Sequence, residues 1–167
     1  MSPRVVLVGP MGAGKSTVAA LLAEVWGVAA RDTDADVEAA EGRTISDIFV
    51  DSGEARFREL ERAAVTDALA EHHGVLALGG GAVLDPVTRE LLHGQPVVFL
   101  RVGLSDAVKR VGLGSARPLL LGNVRGRIKA LLDERTPIYE QVATHTVDTD
   151  GRTPEDVARE VRELMDE

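Results

Sequence analysis

The sequence predicts an α/β fold in which a parallel sheet is covered by helices on both faces. Three observations lead there. Short Val- and Leu-rich runs recur between turn residues, stretches with apolar residues at helical spacing lie between those runs, and the first run passes through a glycine-rich loop directly into the first helical stretch. Strand and helix alternating in this way is the pattern of a parallel sheet whose strands are buried on both sides.

The elements follow in order. Apolar runs at 4–8, 28–31, 75–78 (VLAL), 97–101 (VVFLR) and 145–148 read as strands. Residues 15–26 place Val18, Leu21, Leu22 and Val25 on one helical face, and 53–72 does the same with Phe57, Leu60, Ala64 and Ala68. A helix over 86–93 begins at Asp85-Pro86, where Pro lacks an N–H that the first turn could not use. After a second Pro start, PEDVAREVRELM brings Val157, Val161 and Leu164 together on a final helix. The segment 112–124, GLGSARPLLLGNV, has too many flexible residues for a helix interior and more apolar surface than an ordinary exposed loop, which marks it as functional.

Length and composition bound the rest. With 167 residues, 44% of them hydrophobic, the chain can bury one good core, so a single domain over 1–167 is expected. A net charge of −8 argues against a nucleic-acid partner, since phosphate backbones are met with basic surface. Without cysteine there is neither a disulfide nor a thiolate metal site. Apolar runs far shorter than ~20 residues give no membrane span, and cytoplasm is the expected location.

The glycine-rich loop is the most specific signal. Gly9 to Ser16 in VGPMGAGKST fits G-x-x-x-x-G-K-[ST], and its placement between strand and helix is the one that motif requires. Backbone N–H groups from Gly12, Ala13 and Gly14 onward would face phosphates at a helix N-terminus, Lys15 would reach the terminal phosphate, and the Ser16 hydroxyl would ligate Mg²⁺. A bare Gly-rich turn opening a helix is the alternative.

Asp32 and Asp34, in RDTDADVE, sit two apart at the end of the second strand. In extended backbone both would face one way, into the crevice beyond the strand ends. One carboxylate would support Mg²⁺ through water while the other accepts a proton from a substrate hydroxyl. Alternatively, Asp34 caps the following helix. Arg58 and Glu61 share a helix face, for which a solvated ion pair is the ordinary explanation. Gly79, Gly80 and Gly81 end a buried strand, either because backbone must approach a ligand there or because the chain turns tightly. Arg117, Arg135 and Arg152 complete the set, Arg117 lying where it could swing over a transferring phosphoryl group. The histidines receive no role.

In chain order, GPMGAGKST, DTD followed by VE, GRTISDIF, FRELE, LGGGAV, RPLL and ERTPIY closely resemble shikimate kinase over essentially the whole length. The resemblance implies a nucleoside-monophosphate-kinase-like, three-layer P-loop kinase fold with a five-stranded parallel sheet. It further implies a substrate-binding helical region at about 33–61 and a lid at about 112–124. The implied reaction moves the γ-phosphoryl group of ATP to the 3-hydroxyl of shikimate with Mg²⁺, in a monomer acting on a small molecule.

Carried over by position, Lys15 and the loop from Gly12 to Thr17 become the phosphate site, with Ser16 and Asp32 toward the metal. Asp34 holds shikimate hydroxyls and serves as base. Arg58, with Glu61 beside it, and Arg135 take the carboxylate. Gly79, Gly80 and Gly81 meet the ring, and Phe49, Phe57, Pro118 and Leu119 pack beside it. Arg117 becomes the lid arginine, while Arg110 and Arg152 lie around the adenine. Two rivals stand beside this reading. One is a gluconate kinase of the same fold, disfavoured by DTD, GGG and RPLL together. The other is a nucleotide switch, which would leave the carboxylate-plus-arginine set unexplained.

Overall fold

A computed structural model describes residues 3–112 and 124–166. Its elements run β1 (Val5–Val8), α1 (Lys15–Trp26), β2 (Ala30–Asp32), α2 (Thr33–Glu41), α3 (Ile45–Glu71), β3 (Val75–Ala77), a 3₁₀ turn (Ala82–Leu84) and α4 (Pro86–Leu92). They continue with β4 (Val97–Arg101), α5 (Leu104–Gly112), α6 (Val124–Val142), β5 (His145–Asp148) and α7 (Pro154–Met165). The strands form one five-stranded parallel sheet in the order β2-β3-β1-β4-β5. All the expected strands are present.

Alternation along β1 shows why this is a three-layer structure. Val5 and Leu7 enter a core shared with Val18, Leu22, Val157 and Val161 of α1 and α7, whereas Val6 and Val8 enter one shared with Val65, Leu69, Phe99 and Tyr139. Side chains in a strand alternate between faces, so a strand covered on both sides must be apolar throughout. A third, smaller cluster of Val37, Ile48 and Phe57 joins α2 to α3. That helical pair therefore carries its own apolar seat beside the main sheet.

The helices differ from the sequence reading in two places. α3 starts at Ile45 rather than 53: Thr44 caps it by accepting the Asp47 N–H at 3.1 Å, and the chain stays helical on both sides of a break at Gly53 (φ 85°, ψ 166°). α5 and α6 have no counterpart among the predicted helices. Pro137 lies inside α6, where it removes a backbone donor and interrupts the propensity signal. Among the described residues no helix is long and apolar enough to cross a membrane.

With every strand parallel, the loops after β1, β2 and β3 emerge at the same edge of the sheet. β1 is central, with β3 on one side and β4 on the other, so the chain crosses over it between these two consecutive strands and leaves a crevice over its C-terminal end.

Candidate active site

The glycine-rich loop leaves β1 under tight constraint. A Cβ on Gly9 would stand 2.6 Å from the Leu100 carbonyl oxygen, and Gly14, which opens α1, has φ 89°. Only glycine meets both demands without strain. The loop closes around its own lysine, whose Nζ donates to the carbonyls of Gly9 at 2.6 Å and Pro10 at 3.1 Å. Burial pulls the Lys15 pKa down to about 8 against the opposing attraction of Asp34 and Asp32. An ammonium held this way in water-poor surroundings is poised to gain from an anionic ligand.

Asp32 ends β2 and Asp34 lies in the first turn of α2, so the pair straddles a strand-to-helix junction and does not share an extended strand. The geometry reverses the capping alternative. Asp32 is the cap, its Oδ1 accepting the Asp34 N–H at 2.8 Å, and the Asp34 side chain is left to face the cavity. The other Asp32 oxygen, Oδ2, accepts from the Ser16 hydroxyl at 3.1 Å. Burial, reinforced by the Asp32 charge, raises the Asp34 pKa despite the pull of Lys15 and Arg58.

Arg58 and Glu61 form an ion pair, Nη1 to Oε1 at 2.8 Å, but not a solvated one, because Glu61 is 2% exposed. Burial raises the Glu61 pKa against the bond from Arg58. The triple glycine is explained by crowding: a Cβ on Gly79 would overlap the Asp34 carboxylate, and one on Gly81 would lie 2.6 Å from both terminal nitrogens of Arg58. Arg135 reaches the same place from α6, and its buried Nε has no hydrogen-bond partner among the described residues.

These groups line one cavity of about 470 Å³. Lys15, Ser16, Asp32, Asp34, Phe57, Arg58, Glu61, Arg135 and the backbone from Gly79 to Gly81 all contribute to its wall. The wall thus combines the arginines Arg58 and Arg135, the carboxylates of Asp32, Asp34 and Glu61, and the glycine-rich loop with Lys15. Such a wall suits a hydroxylated acid beside a phosphate donor.

A smaller recess of about 190 Å³ lies across the loop, lined by Gly12, Ala13, Gly14, Thr17, Arg110, Arg152 and neighbours. Arg110 is fixed there by donating to the Gly12 carbonyl at 2.9 Å and to Thr149, and Arg152 by donating to Glu160 at 2.6 Å. Phe49 does not line the main cavity. It is 38% exposed and packs on Phe57, ring centroids 5.0 Å apart, so it supports the ring that does. Arg117, Pro118 and Leu119, with residues 113–123 of the expected lid, lie outside the described residues.

Sequence reading assigned no role to Met11, Ile45 and Leu78 in the cavity wall, because an apolar residue in one sequence cannot be told from core. It also passed over Thr33 and Tyr139, both buried, which touch the glycine turn. Tyr139 stands four residues after Arg135, a spacing that puts both on one helix face and could have flagged it.

Ser16 and Asp32 supply a hydroxyl and a carboxylate oxygen side by side next to the phosphate loop, which suits Mg²⁺, an ion that takes few protein ligands and completes its shell with water and phosphate. Among the described residues no group of three or more His, Cys, Asp or Glu could cage a metal on its own.

Comparison with known proteins adds four findings. The family model described as shikimate kinase matches residues 11–166. A shikimate kinase of Salinispora arenicola is 61% identical over 99% of both chains, and a structure of shikimate kinase from Acinetobacter baumannii in complex with shikimate superposes with a TM-score of 0.90 at 35% identity, covering 99% of this chain and 93% of that one. A gluconokinase from Sinorhizobium meliloti, at 21% identity and a TM-score of 0.59 over 97% of this chain and 90% of that one, shares the fold alone.

Proposed function

This chain belongs to the shikimate kinase family, and from that premise we propose which residues perform each part of its reaction. The enzyme uses ATP and Mg²⁺ to phosphorylate the 3-hydroxyl of shikimate, giving shikimate 3-phosphate on the route to aromatic amino acids.

In this reading the acceptor's carboxylate lies between Arg58 and Arg135. Arginine forks bind a carboxylate through paired charge-assisted bonds, and the partnerless Nε of Arg135 marks unused capacity there. Its hydroxyls reach Asp34, which takes the proton as the 3-oxygen forms its bond to the γ-phosphorus and the bond from that phosphorus to the ADP oxygen breaks. A raised pKa fits a base that must hold the proton after transfer. Lys15 releases its bonds to the Gly9 and Pro10 carbonyls in favour of phosphate oxygens and offsets the charge that spreads over them. Ser16 and Asp32 would hold Mg²⁺, which would supply further positive charge beside the phosphates. Arg110 and Arg152 flank the adenine.

The helical region 33–61, with its Val37, Ile48 and Phe57 seat, forms the acceptor side of a single domain. In this reading the enzyme acts as a monomer in the cytoplasm, and the net charge of −8 argues against a nucleic-acid partner.

One observation carries this reading: the Asp34 carboxylate faces the same cavity as Lys15 and Arg58 while Asp32 performs the capping. The test is Asp34→Asn, with ATP binding titrated beside turnover. Loss of transfer with ATP binding retained supports the base, whereas near-normal turnover removes Asp34 from that role.

A further inference from the structure

The Gly79–Gly81 turn is gripped from two sides by hydroxyls that do not line the cavity. Thr33, fully buried at the start of α2, accepts the Gly79 N–H on Oγ1 at 3.2 Å. Tyr139, fully buried on α6, donates from its hydroxyl to the Gly80 carbonyl at 2.5 Å. The turn itself, between the end of β3 and the 3₁₀ turn at Ala82, has three residues without side chains and hence little of its own to fix it.

Its position nevertheless matters to the reacting groups. Gly79 abuts the Asp34 carboxylate and Gly81 the Arg58 guanidinium, so a shift of the turn would change the gap between them. Arg135 lies one helical turn before Tyr139, against the same hydroxyl. The Tyr139 ring has a separate anchor, its packing on Phe99 at 5.0 Å between centroids. Its hydroxyl is therefore not needed to hold the ring.

We infer that Thr33 and Tyr139 are positioning residues for the acceptor, a pair of hydroxyls that clamp the Gly79–Gly81 backbone and through it set the spacing of Asp34, Arg58 and Arg135. The inference rests on the acceptor site assigned above. The clamped turn abuts Asp34 and Arg58 on the acceptor side, so the effect of losing the clamp falls chiefly on that substrate.

Steady-state kinetics of Tyr139→Phe, Thr33→Val and Thr33→Ser test it, each variant's folding being followed by circular dichroism. Phe keeps the ring and Val the shape, and both lose the hydroxyl; Ser keeps the hydroxyl. Tyr139→Phe and Thr33→Val are expected to raise KM for shikimate about tenfold, the scale of a buried hydrogen bond lost, with KM for ATP within about twofold of normal. Thr33→Ser should stay near the parent, and the double variant should fall short of the product of the two because both act on one turn.

An unchanged shikimate KM in Tyr139→Phe, an equal rise in both KM values, or a Thr33→Ser as impaired as Thr33→Val would overturn the clamp. Should Tyr139→Phe fail to fold, the Thr33 pair decides by the same readout. Asp34→Asn assayed in parallel separates the two ideas: full activity there sinks the role assignment, while the clamp stands or falls on the KM split alone.

Discussion

Asp32 and Asp34 divide one helix N-terminus between them: Asp32 caps it, accepting the Asp34 N–H at 2.8 Å, and Asp34 is thereby turned into the cavity with its carboxylate unspent on the backbone. Asp32 also accepts from Ser16 at 3.1 Å, so a single side chain joins the helix cap to the phosphate loop.

Two substitutions at Asp32 should separate these duties. Asparagine caps as well as aspartate, so Asp32→Asn is expected to keep thermal stability and to raise the Mg²⁺ concentration needed for half-maximal activity. Asp32→Ala should lose about 1 kcal/mol of stability as well. Thermal melts and Mg²⁺ titrations of both variants check it.

Asp34→Asn should melt at a higher temperature than the parent while losing transfer. The Asp34 pKa is raised in the folded state, so the folded protein favours the neutral form: stability is full below the unfolded pKa and falls as pH rises through the folded one. The amide imitates the neutral form at neutral pH. A melt of each protein near pH 7 reads the difference.

Lys15 predicts opposite trends for activity and stability on the alkaline side. Its pKa of about 8 means that kcat/KM for ATP should decline as pH rises through that value, because the deprotonated amine no longer attracts phosphate. Between about 8 and the ordinary 10.5 the unfolded chain holds the proton more tightly, so this group's contribution to stability rises over the same window. Lys15→Arg, charged throughout, should flatten the alkaline limb in a pH–rate profile.

Arg58→Ala and Arg135→Ala should each weaken shikimate binding about tenfold to hundredfold, the equivalent of ~1.5–3 kcal/mol for a charge-assisted bond, with ATP affinity nearly unchanged. Arg58→Ala should do additional harm to stability, since it leaves Glu61 buried and unpaired. Calorimetric titration with each ligand and a thermal melt measure both effects.

The strands were legible because burial on both faces demands unbroken apolar runs such as VVLV and VVFLR, a signal that survives without context. α6 was not, since Pro137 and Gly126 contradict the helix that packing against α5, the 3₁₀ turn and β4 sustains. At the site, Lys15 and Ser16 were fixed by local spacing. The two-apart placement of Asp32 and Asp34 was read through an extended strand, whereas the helix begins between them and both still line the cavity. Glu61 looked like half of a surface pair because burial is a tertiary property that three-residue spacing cannot report. Thr33 and Tyr139 escaped for the same reason: their partners are 46 and 59 residues away.

The most direct test of the account is ADP release from ATP and Mg²⁺ by the purified protein, measured with shikimate, with gluconate and with neither. Release that depends on shikimate, with gluconate no better than the blank, is the expected result. Equal release with gluconate, or release that ignores both acids, would contradict an acceptor site built from Asp34, Arg58 and Arg135.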